Sequence, residues 1–116
     1  MFPAYLAVTA LTVLANGYAA TVDFLQTDRA VANAVRVGAS RSWLLPLGTA
    51  KAAGAVGLLV GIAVPVIGVA AAIGLVLFFV CAIGAHVRAH WYSTIPFPAA
   101  YLVLAVGALV LRLATM

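Results

Sequence analysis

The chain carries two carboxylates, Asp23 and Asp28, and no glutamate, while Lys51 stands in the middle of the apolar stretch SRSWLLPLGTAKAAGAVGLLVGI. If that stretch crosses a bilayer, an unpaired charge in it costs at least about 2.5–3.5 kcal/mol on insertion scales. Two outcomes are open. The amine can snorkel back to the interface along its own stem, or it can meet a carboxylate, and Asp23 at the end of the preceding apolar run is the one in reach. Further along, HVRAH places His86 and His90 at i and i+4, a spacing that suits a metal pair. No Glu follows the first His and no third strong ligand is spaced nearby, so no metal is expected. Asp23 and His86 are therefore the candidates for acid/base work or proton relay. Asn16, Lys51, Arg88 and Tyr101 are the candidates for holding a ligand.

The elements that must position these residues follow from composition. Of 116 residues, 67% are hydrophobic and 7% charged, against roughly 45–50% and 25% in soluble domains. A chain so short would leave much of that apolar surface in water, and a bilayer removes the difficulty. About 20 apolar residues cross the ~30 Å hydrocarbon layer. Runs near residues 2–22 and 97–114 each satisfy this. The stretch from Leu44 to Ala85 is about twice too long for one span, and Pro65 between Gly61 and Gly68 is the natural break into spans near 44–63 and 66–87. The expected fold is an all-α membrane protein, a four-transmembrane-helix bundle forming one domain over residues 1–116. The segment MFPAYLAVTA has no basic region before its apolar run, so it reads as a span rather than a cleavable leader.

Between the first two spans, Arg29, Asn33, Arg36 and Ser40 recur at helical spacing, with Val31, Val35 and Ala39 on the other side and Thr27 or Asp28 available as a cap. This predicts a short interfacial amphipathic helix near 29–41. Arg29, Arg36 and Arg41 in this loop and Arg88 in the third place loops one and three in the cytoplasm and both termini outside, with Arg112 alone on the far side. The bases are too few and too dispersed for a nucleic-acid track. Cys81, the single cysteine, excludes an internal disulfide and a CxxC pair.

Within the spans, Tyr5, Thr9, Thr12, Asn16 and Asp23 share a narrow arc of the first helix, and a polar stripe must turn inward. The second span carries a small-residue seam, Ala50, Gly54, Gly57 and Gly61, suited to close helix approach within the bundle or between copies of a homodimer. Gly68, Ala72, Leu75, Phe79, Ala82 and His86 share one face of the third. Asn16, Asp23, Lys51, His86, Arg88 and Tyr101 thus converge on one half of the bundle. They predict an interhelical pocket with apolar walls and a polar end, opening toward the cytoplasm and suited to a lipophilic molecule. Lys51 is expected to point toward the Asn16–Asp23 face, with His86 bordering the same cavity.

The segments LGTAKAAGAVGLLVG and AHVRA, with looser similarity in ATVDFLQTD and the last span, resemble the DoxX-like family of small bacterial membrane proteins. The resemblance implies a four-helix fold, a multi-pass protein of the bacterial cytoplasmic (inner) membrane, and a redox-linked or accessory subunit for which a quinone is the cofactor to expect. Other members often carry an acidic residue where Lys51 stands, so a carboxylate role in the second span does not carry over. Three functions remain open. The first is a subunit binding a quinone or isoprenoid-type molecule. The second is a small membrane enzyme performing isomerisation, epoxide opening or cyclisation with Asp23 and His86 as its acid/base pair. The third is an assembly factor for another membrane protein.

Overall fold

The computed structural model describes residues 1–93 and 95–116. Among these residues the α-helices are α1 (Phe2–Phe24), α2 (Asp28–Arg36), α3 (Leu44–Ala63), α4 (Pro65–Arg88) and α5 (Pro96–Thr115), with a 3-10 turn at Arg41–Trp43 leading into α3. Four of them, α1, α3, α4 and α5, are long and apolar enough to cross a membrane. The expected spans stand, α3 with the expected bounds and the others longer by a residue or two. At 1.5 Å per residue they reach roughly 30–36 Å, the thickness of the hydrocarbon layer with a small margin.

The four spans pack in a ring, α1 against α3 and α5, and α4 against α3 and α5. The α3–α4 break is tighter than expected. Val64 alone is non-helical, and Pro65 opens α4 instead of lying in the turn. Proline has no N–H to lose at a helix start, and it disfavours the helical conformation in the residue before it. From that turn the two helices run back against each other through small residues. A Cβ on Gly57 would lie 2.7 Å from the Ala71 Cβ, and one on Gly61 would run into the Gly68 backbone. The seam read from the sequence is therefore consumed inside one chain.

Polar side chains of α1 turn inward while large apolar side chains face outward. α1 buries Tyr5, Thr9, Thr12, Asn16, Ala20 and Asp23 and exposes Leu6, Leu11 and Leu14, as its polar stripe required. Leu59, Val66, Leu77, Val103 and Val110 likewise face outward from the other spans. In water this arrangement would be costly; in lipid tails it costs nothing, and the inward stripe is what must be hidden. Inside, Leu58, Ala72, Leu75, Phe79, Ala105 and Ala108 form the apolar core.

One end of the bundle is built by three helix terminations of the same kind. After α1, α2 and α4 the chain passes through a left-handed residue, Gln26 (φ 49°), Gly38 (φ 87°) and His90 (φ 55°). In each, the following amide reaches back five residues: Thr27 to the Val22 carbonyl, Ala39 to Ala34 and Trp91 to His86. This is the Schellman arrangement, which satisfies the last carbonyls and folds the following side chain over the final turn. α2 is shorter than the expected 29–41. Thr27 Oγ1 caps it, accepting from Ala30 N–H at 3.3 Å. Its buried face is Ala30 and Ala34, packed on Leu44 with Val22, Val31 and Ala39 alongside, while Val35 points outward. Small side chains let α2 lie close to the start of α3, so they, rather than the bulkier valine, mark its inner face.

Candidate functional site

Lys51 resolves in favour of a carboxylate. Its Nζ donates to Asp23 Oδ2 at 2.8 Å, and both side chains are largely withdrawn from the surface. The approach depends on Gly48, one turn earlier on α3. A Cβ there would stand 3.1 Å from the Asp23 Cβ and 3.3 Å from the Ala20 carbonyl, so any larger residue would press α3 and α1 apart by a few tenths of an ångström. The Phe78 ring lies 5.6 Å from Nζ and supplies its electron-rich face to the same ammonium.

Around this pair opens a cleft of about 790 Å³, within the range of small-molecule sites. Tyr18, Val22, Leu44, Leu47, Phe78, Phe79 and Phe97 contribute apolar and aromatic wall, and Asp23, Lys51, His86, Arg88 and Tyr101 all border it. Five of the six expected site residues are thus brought together. The sixth, Asn16, is not. It is fully buried one layer deeper, donating from Nδ2 to the Thr12 carbonyl at 2.9 Å, with Oδ1 unpartnered among the described residues.

His86 is held from two sides. Its Nδ1 lies 2.8 Å from the Ala82 carbonyl. A carbonyl only accepts, so Nδ1 carries a hydrogen, and Nε2 is the ring nitrogen left without a hydrogen-bond partner among the described residues. The ring stacks on Trp91 at 5.3 Å and 21°, and the Arg36 guanidinium lies 4.3 Å over the other partner of that stack, the Trp91 indole. The Schellman turn at His90 produces this contact by folding Trp91 back over the last turn of α4. Tyr101 borders the cleft, but its hydroxyl is spent on the Ala15 carbonyl at 3.1 Å, and its ring packs on Phe79 at 5.2 Å. It fixes α5 to α1 more than it offers a donor. His90 pairs with Tyr92 outside the cleft, and no group of three or more metal-ligating side chains occurs among the described residues.

Sequence reasoning missed Arg29, Asn33 and Trp43, which also border the cleft. The i, i+4 spacing of Arg29 and Asn33 was the available signal, but it was read as a face turned to water and headgroups. The contact of Trp91 with His86 has no sequence marker, because a histidine and not a glycine occupies the left-handed position at residue 90.

The opposite end holds Arg112, which is buried instead of lying free in a terminal segment. Its Nη1 donates to the Gly61 carbonyl at 3.2 Å and its Nη2 to Thr115 Oγ1 at 3.2 Å, and the guanidinium lies 4.3 Å over the Tyr5 ring. Gly61 is in the last turn of α3, where carbonyls lack intrahelical donors and carry the negative end of the helix dipole. Arg112 therefore serves as a cap supplied by another helix.

Four helices long and apolar enough to cross a membrane, packed around an apolar core beside the inward polar stripe of α1 and with a cleft at one end, define a small multi-pass membrane protein. A model of the DoxX-like family matches residues 7–108, and the chain belongs to that family. No curated protein and no solved structure matches it.

Proposed function

We propose that this DoxX-like membrane protein binds a lipophilic small molecule, of quinone or isoprenoid type, in the cleft at the α2 end, as a redox-linked or accessory membrane subunit. The observation that carries the reading is the ion pair Lys51–Asp23 set in a largely aromatic and aliphatic cleft of about 790 Å³. A structural pair alone would be cheaper to replace by apolar side chains, and the cleft gives it something to face. On this reading the cleft opens toward the cytoplasm, and the membrane is the bacterial inner membrane. Mass spectrometry of lipids retained by the protein purified in mild detergent tests it. A quinone or prenyl compound should be held by the parent and lost from Lys51→Met; a preparation carrying bulk phospholipid alone would sink it.

A second reading, catalysis on such a molecule, rests on His86. With Nδ1–H committed to Ala82 and the ring clamped by Trp91, Nε2 is left as a base, and Asp23 lines the same cleft. Turnover of a prenyl epoxide or isomerisable olefin by the isolated protein, abolished in His86→Phe, would favour the enzyme over the binding subunit.

A further inference from the structure

The chain has six Lys and Arg side chains, and four of them have an identified partner. Lys51 is paired with Asp23, Arg36 lies on Trp91, Arg41 Nε donates to Gln26 Oε1 at 2.8 Å, and Arg112 is capped into the far end. The remaining two, Arg29 on α2 and Arg88 on α4, make no hydrogen bond or ion pair among the described residues, and both border the cleft. Arg88 sits beside the α2 termination: a Cβ on Gly38 would lie 3.6 Å from its Nη2. Asn33, one turn after Arg29, borders the cleft as well.

The cleft contains one carboxylate, Asp23, and Lys51 already neutralises it. Arg29, Asn33 and Arg88 are all exposed at the rim of the cleft, and among the described residues no carboxylate pairs with either guanidinium, so both are free to meet a ligand there. Asp28, the other carboxylate of the chain, is exposed and does not border the cleft. Helix stability does not explain Arg29. It lies in the first turn of α2, where the dipole disfavours a cation. Guanidinium forks are suited to carboxylate and phosphate oxygens.

From these residues we infer that the cleft takes an anionic amphiphile: an apolar chain along the Phe78, Phe79 and Phe97 wall and a phosphate or carboxylate head between Arg29, Asn33 and Arg88. The inference rests on the lipophilic-ligand reading above and narrows it, since a neutral quinone head would leave both arginines without a counter-charge.

The test is equilibrium binding, by quenching of tryptophan fluorescence, with the protein in phosphatidylcholine nanodiscs. Trp43 borders the cleft and reports directly. Farnesyl phosphate should bind about tenfold or more tighter than farnesol, the effect of one or two charge-assisted hydrogen bonds. The double variant Arg29→Gln/Arg88→Gln should lower farnesyl phosphate binding to the level of farnesol, with a far-ultraviolet circular dichroism spectrum and an unfolding midpoint like the parent's showing that it is folded. Arg88→Lys alone, keeping the charge, should retain most of the preference. Competition with phosphatidic acid assigns the source of the head: displacement identifies a diacyl lipid, and its failure identifies a single-chain phosphate, the anionic head standing in both cases. Equal affinity of the two farnesyl probes, or a preference unchanged in the double variant, overturns the anionic head and leaves the lipophilic cleft intact. Binding of neither probe overturns the cleft reading itself.

Discussion

At the scale of the residue, Lys51 was legible because the sequence offers so few partners. With two carboxylates in the chain and helix depths set by 1.5 Å per residue, Asp23 was the one that could reach it, and the 2.8 Å contact follows. The Trp91–His86 stack was illegible, because it depends on a left-handed backbone at His90 that no residue type announced. The ion pair changes what a Lys51 substitution should do. Removing one member of a withdrawn pair leaves the other charge without compensation, a cost of about 3 kcal/mol. Lys51→Met and Asp23→Asn should each lower the unfolding midpoint in detergent, and the double variant should recover most of the loss. Single variants that melt with the parent would mean that the pair is solvated and contributes nothing.

At the scale of the element, span lengths and the Pro65 break came from counting apolar residues, and they hold because a bilayer of fixed thickness leaves little choice. Which face of each helix meets which neighbour was legible only where polarity forced it. The stripe on α1 had to turn inward, whereas glycines in α3 and α4 look alike in the sequence and differ in the fold. Gly61 has the Gly68 backbone where its Cβ would be, while Gly74 has nothing within 4 Å. Gly61→Ala should therefore force α3 and α4 apart beside their one-residue turn and destabilise the protein by about 2 kcal/mol or more, the range of overpacking. Gly74→Ala should be neutral or slightly stabilising, because alanine is the better helix former by roughly 1 kcal/mol. Thermal unfolding of the two variants side by side in one detergent measures the contrast. Equal losses would contradict the packing described for the seam.

At the scale of the whole molecule, Gly54, Gly57 and Gly61 of the α3 seam already meet α4 within one chain, so a second copy would have to dock beside them. A shallow outer groove of about 530 Å³ between α3 and α4, bordered by Ala50, Ala53, Gly74 and Cys81, remains for it. A homodimer is the expected state, with a protein mass in mild detergent of twice 11.8 kDa, reverting to a monomer in Gly74→Leu. A monomer at every concentration would remove the dimer. The expected orientation turns on where the arginines lie. Counting charges had set Arg29, Arg36, Arg41 and Arg88 at one end against Arg112 at the other. Buried at 4% exposure and bonded to Gly61, Arg112 is part of the bundle and cannot act as a loop charge. All the arginines outside the bundle core then lie at the α2 end, and basic loops stay in the cytoplasm. The C-terminus should accordingly lie outside. With Cys81 replaced by Ala and a cysteine appended after Met116, a membrane-impermeant maleimide should label intact cells. Labelling only after the cells are opened would invert the topology, and with it the side from which a ligand enters the cleft.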